Sequence, residues 1–119
     1  MGRLTTHVLD TALGKPAAQV PIQLFRVDRQ QGTRVLVTET NTNGDGRTDS
    51  PLLVNESFVV GTYELVFHVG RYFSYVERAA ASVPFYDHIT VRVTLASGSE
   101  HYHVPLLVSP WSYSTYRGS

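Results

Sequence analysis

The sequence predicts an all-β sandwich with one short helix. Apolar residues recur at every second position, turn signals part the chain about every dozen residues, and one stretch alone breaks the alternation. Residues two apart on a strand share a face, so each alternating run has a buried side and a wetter one.

The first strand is expected over residues 4–9. In Val20-Pro21-Ile22-Gln23-Leu24 the apolar residues sit at alternate positions, and a further strand is expected over 34–40. Tyr63, Leu65, Phe67 and Val69 alternate with Glu64 and His68, which face the other way. The pattern is clearest at Ile89, Val91, Val93 and Leu95, where Thr90, Arg92 and Thr94 point outward. Two more strands are expected over 101–109 and 113–116. Between them lie the turn signals Leu13-Gly14-Lys15-Pro16, Gln31-Gly32, Asn43-Gly44-Asp45-Gly46, Asn55-Glu56 and Ser97-Gly98-Ser99. The exception is 70–82, where Glu77-Arg78-Ala79-Ala80-Ala81 favours a helix and Tyr72, Tyr75 and Val76 fall at helical offsets. Seven or eight short strands with no repeat and no linker point to a β-sandwich forming one domain over 1–119.

Composition narrows the function. The chain has 119 residues and no cysteine, which excludes a disulfide framework, a thiolate zinc site, an iron–sulfur centre and a cysteine nucleophile. Ten basic residues balance ten acidic ones, so no nucleic-acid or membrane partner is expected, since both usually require a basic excess. No apolar run approaches the roughly 18 residues that cross a bilayer. Residues 1–4 lead straight into a strand without the apolar stretch of a secretory signal, so a cytoplasmic protein is expected.

Five histidines invite inspection, because imidazole alone titrates near neutral pH when unperturbed. His101 and His103 flank Tyr102 and project from one strand face, while His7 lies on another strand. Three histidines from two strands suit zinc with an open position for water, but a wet strand face or pairing with core carbonyls is the favoured account. His68 and His88 have no motif around them and read as surface residues. Asn41-Thr42-Asn43-Gly44-Asp45-Gly46 resembles the start of a calcium loop, but its twelfth position is Leu52 rather than a carboxylate. A tight turn presenting Arg47 is the better account. Pro105 and Pro110 interrupt a strand-like stretch, and proline belongs at edges or bulges. The aromatic tail from Trp111 to Ser119 is expected to dock, with the Ser119 carboxylate as a fixed negative charge.

Leu4-Thr5-Thr6-His7-Val8-Leu9-Asp10, Asp45-Gly46-Arg47, His103-Val104-Pro105-Leu106-Leu107 and Tyr116-Arg117-Gly118-Ser119 together resemble the transthyretin-related 5-hydroxyisourate hydrolase family, in order and over essentially the whole chain. The resemblance implies a transthyretin-like sandwich of two four-stranded sheets with one short helix. It also implies a homotetramer with binding channels where dimers meet, and opening of the lactam ring of 5-hydroxyisourate in urate breakdown. It implies no cofactor and no catalytic metal. On this pattern His7, Arg47, His103 and Ser119 are catalytic, and His7, Arg47 and Tyr116 bind substrate. His101 is a near neighbour whose role stays open. Gly118 is expected to give the tail backbone angles closed to other residues. The rival expectation is a non-catalytic carrier using the same channel, since fold alone does not fix function.

Overall fold

The computed structural model describes residues 2–77 and 83–119. Its strands are β1 (Arg3–Asp10), β2 (Lys15–Pro16), β3 (Pro21–Asp28), β4 (Thr33–Asn41), β5 (Leu53–Val54), β6 (Gly61–Phe67), β7 (Ile89–Leu95), β8 (His101–Val108) and β9 (Tyr113–Thr115). An α-helix, α1 (Val69–Glu77), follows β6, and a 3-10 turn covers Asn55–Ser57. The strands make two sheets, β4-β3-β6-β7 and β2-β1-β8-β9, and the short β5 also pairs with β1. The second sheet thus carries five strands, because Leu53 and Val54 pair with Leu4 and Arg3 on the edge that β2 uses further along. The turn expected at Leu13-Gly14-Lys15-Pro16 ends in β2, whose Lys15 and Pro16 pair with Asp10 and Leu9.

Inward-facing residues of both sheets fill the core. Leu4 and Val8 from β1, Ile22 and Leu24 from β3, Tyr63, Leu65 and Phe67 from β6, and Val104, Leu106 and Val108 from β8 are all buried there. Each such side chain contributes roughly 1.5–3 kcal/mol of transfer free energy, so alternation fixes which face of each strand turns inward. Val69 is not the last strand residue that its alternation suggests, but the first residue of α1. There it is buried with Tyr72 and Phe73, three and four positions on, which forms an apolar helix stripe. The rest of the expected helix, 78–82, lies outside the described residues. The Tyr72 hydroxyl donates to Asp10 Oδ2 at 2.7 Å, and Ala12 and Leu13 N–H donate to Oδ1 at 2.9 Å, which satisfies the buried carboxylate and ties α1 to the end of β1.

β1 and β8 run parallel, and parallel neighbours need a long crossover, here the whole of the other sheet. Their register sets Arg3 beside His101, Thr5 beside His103 and His7 beside Pro105. Pro105 therefore lies in an interior strand, against expectation. It is tolerated because β9 covers only Leu106 to Val108, and the tail next touches β8 at a bridge between Gly118 and His103. The missing proline N–H falls in that gap, where Thr115 Oγ1 donates to the Pro105 carbonyl at 2.7 Å.

Candidate functional site

Because the even-numbered residues of β1 and β8 turn into the core, the odd-numbered ones share the outer face of this sheet. Arg3, Thr5 and His7 stand there beside His101 and His103. The Thr5 hydroxyl lies 2.7 Å from His101 Nε2 and 2.8 Å from His103 Nδ1. Next door, Thr6 turns inward and donates to the Val104 carbonyl at 2.7 Å.

Arg47 reaches this face through the loop after β4. Asn43 Oδ1 accepts from Asp45 N at 2.9 Å and Arg47 N at 3.2 Å, so the loop closes on the asparagine side chain. Val8 N donates to Gly46 O at 2.8 Å, and Arg47 bridges to His7. His7 Nε2 is 2.8 Å from the Asp45 carbonyl. A carbonyl only accepts, so Nε2 donates in this contact. Gly46 adopts φ +76, and a Cβ there would collide with the Val8 carbonyl oxygen. Gly46→Ala is expected to cost about 1–3 kcal/mol from strain alone. A lowered Tm with weakened turnover checks this, and an unchanged melt would refute it.

The tail supplies the remaining wall. Gly118 N donates to His103 O at 2.8 Å, and Arg117 pairs with Glu100 at 2.9 Å while its guanidinium lies 4.4 Å from the Tyr102 ring centre. Gly118 is required for closeness rather than for unusual backbone angles. Its φ is ordinary, and a Cβ would meet His103 Cδ2 at 2.7 Å.

Arg47, His103 and Ser119 line one open pocket of about 360 Å³, together with Arg3, Thr5 and His101. His7 flanks it through its bridge to Arg47. Burial first, then the positive charge of Arg47, and then His101 and His7, hold His103 below the ordinary histidine value of 6.5. Burial and Arg3 lower His101 in the same direction. Near neutral pH both rings are therefore mainly uncharged, the form in which imidazole accepts a proton. Among the described residues no three His, Asp or Glu side chains converge as a metal set, and the facing nitrogens of His101 and His103 are both taken up by Thr5.

Of the expected site residues, the structure brings Arg47, His103 and Ser119 to one pocket, sets His7 beside it, and places Tyr116 elsewhere. Tyr116 is 60% exposed and lines a separate recess with Val91 and Val93 of β7. Sequence reasoning missed Thr5 and Arg3. Their signal was present, since both share the strand face of His7 by alternation.

A family model described as Transthyretin, the HIUase/Transthyretin family, matches residues 4–118. The 5-hydroxyisourate hydrolase of Deinococcus radiodurans is 60% identical over 116 residues, covering 98% of this chain and 95% of that protein. A crystal structure of (S)-allantoin synthase superposes with a TM-score of 0.89 at 47% identity, covering 99% of this chain but only 44% of that longer one. Transthyretin from Sparus aurata superposes with a TM-score of 0.85 at 26% identity, covering 98% and 96% of the two chains.

Proposed function

This chain belongs to the HIUase/transthyretin family, and on that premise we propose that it hydrolyses 5-hydroxyisourate. The product would be 2-oxo-4-hydroxy-4-carboxy-5-ureidoimidazoline. The observation that carries the reading is one pocket uniting a histidine with a lowered pKa, an arginine fork and the tail serine: His103, Arg47 and Ser119.

Water is a poor nucleophile, so His103 Nε2 takes one of its protons as the oxygen bonds to the lactam carbonyl; such base catalysis is worth about 10²–10⁴-fold. The carbonyl electrons move onto oxygen, where Arg47 N–H groups stabilise the charge. The carbonyl then re-forms, the ring C–N bond breaks, and His103 returns its proton to the departing nitrogen. This leaves a carboxylic acid that ionises. His7 Nδ1 accepts a substrate N–H, and Ser119 closes the wall beside His103. Residues 1–119 act as one domain in this scheme. The single-chain pocket is open, and in the homotetramer implied by the family resemblance neighbouring subunits would complete it. Tyr116 would then bind substrate from across such an interface.

The base must be unprotonated, and the His103 pKa lies below 6.5. Activity is accordingly present above that lowered pKa and is lost as pH falls through it. The acid limb of kcat/KM is expected to have its midpoint below the ordinary histidine value; a midpoint above it would exclude His103 as the base.

The deciding experiment follows the ultraviolet decay of freshly generated 5-hydroxyisourate with the protein, with excess chelator, and with a variant lacking Ser119. Acceleration that persists with chelator and collapses without Ser119 is expected. Decay at the spontaneous rate would refute hydrolysis and leave a small-molecule carrier as the better account. Loss on chelation would refute the metal-independent step.

A further inference from the structure

A hydroxyl has one hydrogen to donate, and Thr5 Oγ1 stands within hydrogen-bond distance of two imidazole nitrogens, His101 Nε2 at 2.7 Å and His103 Nδ1 at 2.8 Å. The two rings are therefore linked. If His103 carries its proton on Nδ1, it donates to Thr5, and the hydroxyl hydrogen goes on to His101 Nε2. If Thr5 donates to His103 instead, that neutral ring must hold its proton on Nε2, the nitrogen that faces away from Thr5. We propose that Thr5, with His101 behind it, is a positioning residue that locks His103 in the Nδ1–H tautomer and so keeps Nε2 free as a proton acceptor.

This inference rests on the reading of His103 as the general base. Neutral imidazole in water prefers its proton on Nε2, so an unassisted His103 would present the wrong nitrogen. Which nitrogen is protonated is set by the hydrogen bond that the other one makes. Here that bond is built by long-range register, since the parallel pairing of β1 and β8 brings Thr5 beside His103. Thr6 shows the contrast: its hydroxyl is spent on a backbone carbonyl, whereas Thr5 is directed at side chains alone. Burial with Arg47 beside His103, and burial with Arg3 beside His101, favour uncharged rings, the condition under which tautomer matters. His101 thereby gains a role of its own. In the proposed arrangement His101 holds its proton on Nδ1 and its Nε2 accepts from Thr5.

The test compares Thr5→Val, which keeps the branched shape without the hydroxyl, with Thr5→Ser, which keeps the hydroxyl. Two-bond proton–nitrogen correlations on ¹⁵N-histidine protein without ligand report the His103 tautomer. Wild type and Thr5→Ser are expected to show a protonated Nδ1 and a free Nε2, and Thr5→Val to lose that pattern. For 5-hydroxyisourate, kcat is expected to fall about tenfold or more in Thr5→Val, as part of the ~10²–10⁴ that a base supplies. KM should be little changed, and Thr5→Ser should recover most of the rate. A wild-type His103 protonated on Nε2, or a folded Thr5→Val with wild-type tautomer and kcat, overturns the proposal. If Thr5→Val does not fold, His101→Phe removes the terminal acceptor and should shift the same resonances; unchanged signals there also overturn it. Wild type that fails to accelerate 5-hydroxyisourate decay refutes the hydrolase reading instead, and the nitrogen spectra still decide the tautomer.

Discussion

Replacing His103 with Asn is expected to lower kcat for 5-hydroxyisourate at least about a hundredfold while the protein stays folded. The imidazole sits on the outer face of its sheet, outside the buried apolar cluster, so shortening it opens no cavity in the core. An asparagine amide reaches roughly as far as Nδ1 and can still bond to Thr5, but it has nothing at the position of Nε2. The substitution thus removes the proton acceptor and spares the anchor. An interaction made only in the transition state lowers kcat and kcat/KM together, with KM almost unmoved. Steady-state kinetics with a thermal melt check both halves, and near wild-type turnover would remove His103 from the mechanism.

Much of this was legible in the chain because strand alternation is local. Ile89, Val91, Val93 and Leu95 mark β7 to the residue, and the same rule puts His101 and His103 on one face. Asn43 and Gly46 mark a turn because side-chain acceptance and positive φ are properties of single residues. What stayed hidden depends on pairing across the fold. No local pattern says that β1 runs parallel to β8, and without that register Thr5 is an ordinary strand threonine rather than the hydroxyl between two histidines. Pro105 misleads for the same reason: it looks like an edge signal, yet it sits in an interior strand opposite a gap left by the tail. Gly118 looks like a residue chosen for its backbone angles, and its real constraint is an imidazole ring packed where a Cβ would go.

Arg47→Lys is expected to cost about a hundredfold in kcat/KM, because removing one preorganised donor from a developing oxyanion typically costs about 10²–10³. The backbone of this residue is held by Asn43 and faces His7, so the loop survives the change and only the side chain differs. Among the described residues Arg47 forms no salt bridge, and it lines the pocket with His103 and Ser119. Among those residues the fork is therefore unspent. A guanidinium offers paired N–H groups in a fixed plane, matching two oxygens at once, whereas an ammonium is a compact, strongly hydrated point charge. Lysine preserves the positive charge that helps keep His103 neutral, so the acid limb of the pH profile should stay in place while the rate falls. That split separates loss of the fork from loss of charge. Arg47→Gln removes both, and it should lower the rate while letting the acid limb rise toward the ordinary histidine value. Kinetics of Arg47→Lys indistinguishable from wild type would mean that the arginine supplies charge alone, and oxyanion stabilisation would then have to come from elsewhere on the same sheet face.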